Sequence, residues 1–226
     1  MFSIAADWNP KQARLKSIIL KPEYFDEAIS LSLELHSYIH QSKTVAETTT
    51  FADEVFNNVS DMCFRITTHD KVRTFAYNVW HITRIEDICA NILIADDTQI
   101  INTNDWITKL KCTITDTGNA LSVDEIVDFS KKIDRVQLFE YRSAVGDKTR
   151  QILSSLKIQD MKRKMKPGSL QRIIGEQAVS QDEKAIWLID FWGKKNIAGL
   201  IQMPLTRHQA VHLNDCLKIK KKGGCK

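Results

Sequence analysis

"DKVRTFAYNVWHITRIEDICANILIA", residues 70–95, is the stretch on which the fold turns. Val72, Phe75, Val79 and Ile82 recur at helical spacing along one side, and His81, Ile85, Ile88 and Ile92 along another. A surface helix carries one apolar stripe. A helix apolar around so much of its circumference has to be covered by other elements. The spacing therefore predicts a central helix.

The flanking sequence is also helical in pattern. Eight glycines and four prolines are few turn-formers for 226 residues, which disfavours a many-turned β fold. "NPKQARLKSIIL" (9–20) reads as a short helix, with Asn9 as N-cap and Pro10 at the first helical position. "PEYFDEAISLSLELHSYIHQ" (22–41) reads as a second, turning Phe25, Ile29, Leu35 and Ile39 towards a core. Residues 43–61, rich in Thr, Asn and Asp, read as a loop holding a short helix.

Ser122 and Glu125 have capping-box spacing and open a helix expected to run to 157, with Gly146 as its candidate break. Ser180 and Glu183 repeat that spacing ahead of "KAIWLIDFWGKK". After Pro204 a last helix starts near Leu205 and ends among lysines, which suit the negative end of the helix dipole. The main helices fall near 22–41, 70–95, 122–157 and 205–220. The expectation is one all-α domain over residues 1–219, a four-helix bundle with long connections and extra short helices, followed by a disordered basic tail at 220–226.

Composition narrows the function classes. The net charge is +4, but five lysines lie in residues 218–226, so the body is near neutral. No basic stripe with interleaved aromatics and no helix-turn-helix is visible, which argues against nucleic acid. Five cysteines (Cys63, Cys89, Cys112, Cys216, Cys225) are odd in number and never form CxxC. That argues against a disulfide scaffold and fits a reducing cytoplasm; Cys225 in the tail reads as exposed and prone to oxidation. Neither a signal-peptide core nor a membrane-length apolar run is expected.

The chemistry rests on histidines. His208 and His212 lie four apart in "TRHQAVHLND" (206–215), as do His36 and His40 in "LHSYIH" (35–40). One turn apart on a helix, two imidazoles share a face and can share an ion. Such a pair arises by chance in roughly one chain in eight of this histidine content, so spacing alone decides little. A zinc-type site needs a third ligand. His81, mid-helix among isoleucines, is the candidate; its bland alternative is a buried histidine bonded to a carbonyl or carboxylate. Peptidase chemistry of the HExxH kind is disfavoured, because Gln209 stands where the glutamate base would be.

The remaining candidates have two readings each. Cys216 is a fourth ligand or a small buried hydrophobe. Glu86 and Asp87 orient a ligand histidine, or pair with Arg84 to clamp helices. Tyr141 faces the metal cleft as a proton donor, or packs in the core with its hydroxyl satisfied. The His36/His40 pair lines the same cleft, with His40 the closer, or serves a helix end. Trp80, Trp187 and Trp192 read as core.

"NVWHITRIEDICANIL" (78–93), residues 117–153 from "TGNALSVDEIVDFSKK" onward, and "WLIDFWGKKNIAGLIQMPLTRHQAVHLND" (187–215) together resemble the DinB-like superfamily of metal-binding four-helix bundles. They resemble above all its "WHITRIED…TRHxxxHLN" members, and the likeness runs from about His36 to Lys218. In that family a histidine on the second bundle helix joins an HxxxH pair on the last. The matching residues are His81, His208 and His212. The resemblance implies a divalent ion, zinc or nickel, with water completing its sphere. It also implies a homodimer and, as in better-known relatives, transfer of a small thiol (bacillithiol, mycothiol or glutathione) to an electrophilic substrate. The competing class is a non-enzymatic bundle whose metal is structural or whose role is to bind a partner.

Overall fold

A computed structural model describes residues 2–42, 49–66 and 73–222. Within them the chain is all-α; the only β-pairing is an isolated bridge between Lys164 and Asn196. Twelve α-helical segments succeed one another: α1 Asn9–Ile18, α2 Phe25–Ile39, α3 Phe51–Phe56, α4 Asp61–Arg65, α5 Phe75–Asp87, α6 Trp106–Leu110, α7 Val123–Lys132, α8 Arg135–Ser155, α9 Pro167–Gly175, α10 Glu183–Gly193, α11 Ile197–Gln202 and α12 His208–Lys222. None is long and apolar enough to cross a membrane.

α5 is the centre. Thr74 caps it by accepting a hydrogen bond from the Tyr77 amide at 3.0 Å, and every residue from Phe75 to Asp87 is buried. The helix continues as a wider π-type coil over Ile88–Ala95 and stops at Asp96, whose φ of 57° an aspartate tolerates better than most side chains. α8 and α12 pack on α5, α2 packs on α8, and α12 also meets α2 and α3. Val72, counted above in one apolar stripe, lies outside the described residues.

Several boundaries differ from the sequence reading. The first helical run starts not at Asn9 but in a wide turn over Ile4–Trp8, capped by Ser3. The long 122–157 helix breaks at Ile133 and Asp134, not at Gly146: Ile133 is extended and buried, and Asp134 caps α8 by accepting from Gln137 N at 3.2 Å. The Ser122–Glu125 capping box is present. Ser180 does not cap α10; it accepts from the amide of Asp182, and Asp182 is the cap. Trp80 and Trp192 are core residues, but Trp187 is 50% exposed, because α10 packs mainly on α9 at the periphery. Residues 220–222, expected in the tail, are helical, and Lys220 donates to the carbonyls of Glu54 and Asn57.

One buried network fixes α5 against its surroundings. The Asp87 carboxylate accepts from Arg84 Nη1 (2.8 Å), Tyr141 Oη (2.6 Å), Asn91 Nδ2 (2.7 Å) and the backbone amides of Ile100 (2.8 Å) and Ile101 (3.0 Å). Burial works against the Arg84 charge, and Tyr141 and Asp87 more than restore it. Arg84 and Tyr141 thus serve a clamp between α5, α8 and the 96–102 loop.

Candidate metal centre

The histidines of α5 and α12 meet because both helices are fixed at their ends. Asn196 caps α11 by accepting from Gly199 N at 2.9 Å. The chain then widens into a π-type turn over Met203–Arg207, where Pro204 offers no amide donor and Thr206 Oγ1 donates to the Ile201 carbonyl at 2.7 Å. α12 begins immediately at His208.

His81, His208 and His212 come together. Their ring centroids are 5.1 Å (His81–His208), 4.9 Å (His81–His212) and 4.5 Å (His208–His212) apart. One ligand nitrogen from each lies within 4.8 Å of the others. His81 and His212 are 3% and 7% exposed; His208 is half-buried.

Two of the rings are aimed from behind. His81 Nδ1 is 2.8 Å from the Thr117 carbonyl, which only accepts, so the proton is on Nδ1 and the lone pair on Nε2. His212 Nδ1 is 2.8 Å from Asn78 Oδ1, and Asn78 Nδ2 donates to the Thr74 carbonyl at 2.9 Å, which sets the amide's orientation. Tyr77 stacks on His81 at 5.7 Å.

The 115–118 segment is itself strapped to α5. Arg84 Nε, Trp80 Nε1, His81 Nδ1 and Tyr77 Oη donate to the carbonyls of Thr115, Asp116, Thr117 and Gly118 in turn. Gly118 has φ +73°, and a Cβ there would stand 3.0 Å from the Tyr77 ring, so glycine is what lets the strap turn.

Electrostatics keep His81 and His208 neutral, the form that binds metal. Burial pushes His81 down to about 4, and its bond to Thr117 offsets this only partly. Burial, then His81, His212 and Arg73, hold His208 well below the usual histidine range. The buried Nδ1 of His208 has no hydrogen-bond partner among the described residues. Three imidazoles, two of them oriented through their outer nitrogens, fit zinc or nickel. Cys216 is buried and not part of this group of ligand atoms.

The other pair stands apart from this centre. His36 and His40 stack at 4.4 Å and meet Glu86 of α5: His36 Nε2 is 2.6 Å from Oε1, and His40 Nε2 is 3.1 Å from Oε2. Gln209 also donates to Glu86 Oε2, and its own Oε1 accepts from Arg142 Nη2 at 2.8 Å. Burial would raise the Glu86 pKa, but His40 and His36 hold it well below the usual carboxylate range. Glu86 therefore does not orient a histidine of the first centre; it anchors a second cluster. His40 lines a cavity of about 970 Å³, together with Tyr38, Arg142, Gly146 and Arg150.

Sequence reasoning did not single out Asn78 or the Thr117 carbonyl. Asn78 carried a signal, since it lies three residues before His81 and thus on the same face; a backbone acceptor carries none. Asn78→Ala is expected to release His212 and to lower zinc affinity roughly 10–100-fold. Competition with a chromogenic chelator measures this, and unchanged affinity would remove Asn78 from the account. No protein-family model and no curated protein matches the chain.

Proposed function

We propose that this protein is a divalent-metal-dependent enzyme of the DinB-like type: a four-helix bundle whose His81, His208 and His212 hold zinc or nickel, and which transfers a small thiol to an electrophile. In that reaction the thiol gives its proton to water, sulfur forms the new bond to carbon, and the bond from that carbon to halide or epoxide oxygen breaks with its electron pair going to that atom; an epoxide oxygen stays attached and takes a proton from water. The observation that carries the reading is the convergence of three imidazoles, two of them aimed by hydrogen bonds from behind. A bound ion would lower the pKa of a coordinated thiol and so supply the nucleophile at neutral pH. The chain's own work is to fix the rings: Thr117 and Asn78 hold two of them, and Tyr77 covers His81.

The second reading is a structural metal in a partner-binding bundle. A structural zinc takes four protein ligands and a catalytic one keeps a position open. The cluster offers three among the described residues, and His208 is half-buried, which favours the catalytic class. A homodimer, also part of the proposal, would be abandoned if light scattering stays at the monomer mass across micromolar concentrations.

The test is metal analysis of zinc- or nickel-loaded protein, joined to a conjugation screen with glutathione, bacillithiol and mycothiol against haloalkyl and epoxide electrophiles. His212→Ala is expected to weaken binding by at least roughly 100-fold, more than loss of an outer partner does, and to abolish transfer with helicity intact. Metal content unchanged in the His81→Ala, His208→Ala and His212→Ala variants would refute the site. Stoichiometric metal with no transfer would favour the structural reading.

A further inference from the structure

The His36–His40–Glu86 cluster is a site in its own right. Glu86 is fully buried, and Gln209 bridges it by hydrogen bonds to the guanidinium of Arg142. The two imidazoles, one in the last turn of α2 and the other on the extended residue that ends it, are nearly parallel at 25° and direct their Nε2 atoms at its two oxygens. The three ligand atoms lie within 4.8 Å of one another. Ligands bonded at roughly 2.0–2.2 Å to one ion stand roughly 3 Å apart, close to the 3.1 Å between His40 and Glu86.

We propose that His36, His40 and Glu86 form a second divalent-cation site, opening through His40 onto the 970 Å³ cavity. Two imidazoles and a carboxylate with open positions suit zinc, and the carboxylate extends the range to iron(II) and manganese(II), which an all-imidazole centre favours less. Binding at Nε2 moves each ring proton to Nδ1. For His40 this edge lies over Gly146, and both residues line the cavity. For His36 the buried Nδ1 has no partner among the described residues, so His36 is the weakest of the three ligands.

Gly146 is part of the design. A Cβ there would come within 2.5 Å of the His40 Nδ1 and Cε1 atoms, and Glu86 pins that ring from the other side. Gly146→Ala should therefore push His40 out of line, although alanine is the better helix former.

The experiment titrates the metal-free full chain with Zn²⁺ and with Mn²⁺, reading stoichiometry by calorimetry and metal analysis and fold by circular dichroism. Two zinc ions per chain are expected in the wild type, and one in His212→Ala, in Glu86→Gln and in Gly146→Ala. His212→Ala should still bind one manganese, and adding Glu86→Gln should abolish it. In case the variants misfold, long-range ¹H–¹⁵N spectra of the wild-type imidazoles follow the same event: saturating zinc should convert His40 Nε2 from a protonated to a metal-bound nitrogen. A single zinc per chain that His212→Ala removes, a stoichiometry of two that Glu86→Gln leaves intact, or a His40 Nε2 still protonated at saturation would each overturn the second site. A fall from two zinc ions to one in His212→Ala speaks only to the first centre.

Discussion

Asp87→Ala is expected to destabilise the fold by about 3–5 kcal/mol, the range for breaking a buried ion pair from one side. Its carboxylate takes five hydrogen bonds, and the guanidinium it faces is fully buried. Alanine would strand the Arg84 charge, orphan the amides of Ile100 and Ile101, and leave Tyr141 without its acceptor. The stranded charge is the largest of these costs, so the double variant Arg84→Met/Asp87→Ala should lose less than the two single losses added together. The residual cost would be that of the two amides, Asn91 and the Tyr141 hydroxyl. Urea unfolding of the three variants decides it. A loss below about 1 kcal/mol for Asp87→Ala would mean that solvent reaches this network in the folded protein.

That network shows where sequence reading stops. The periodicity of residues 70–95 marks α5 as central because a helix apolar on most sides has only one way to be stable in water. The Ser122–Glu125 box is equally local: cap, third residue and first turn lie within four positions. The break at Ile133 is not of that kind. Nothing in "KKIDRV" distinguishes an extended isoleucine from a helical one until the pocket that buries it is known, whereas Gly146, the apparent breaker, sits inside α8 because the His40 ring occupies the space a side chain would take.

The histidines divide in the same way. Spacing pairs His208 with His212 and His36 with His40, but the third member of each group is separated by more than a hundred residues in one case and by 46 in the other. Glu86 and Asp87, adjacent in sequence, point to different clusters because a helix turns about 100° per residue. Spacing alone gives no means of telling which carboxylate faces which histidine.

Acid should unfold the metal-free protein before its carboxylates titrate. His81 and His40 are each pushed down to about 4, by burial first. Unfolded, both rings take a proton near 6.5. Between those values the unfolded chain binds more protons than the folded one, so stability falls as pH drops from about 6.5 to about 4 and levels off below. A gap of about 2.5 between the two pKa values is worth about 3 kcal/mol per ring, a large share of the roughly 5–15 kcal/mol that holds a domain together. Glu86 adds a loss in the same direction but lower, once pH falls below the usual carboxylate range. The window from 6.5 to 4.5 therefore belongs to the imidazoles. Denaturant unfolding in chelator at pH 7.5, 6 and 5 should show stability declining by up to about 1.4 kcal/mol per pH unit for each ring. His81→Phe, which keeps an aromatic ring beside Tyr77, should flatten the slope by one ring's share. Zinc at a thousandfold excess over its Kd should add about 4 kcal/mol at pH 7.5 and progressively less at lower pH, because protons and metal compete for the same lone pairs. Equal stability at pH 7.5 and 5, with a profile that His81→Phe does not alter, would mean that these rings charge freely in the folded protein and are not the buried neutral ligands described above.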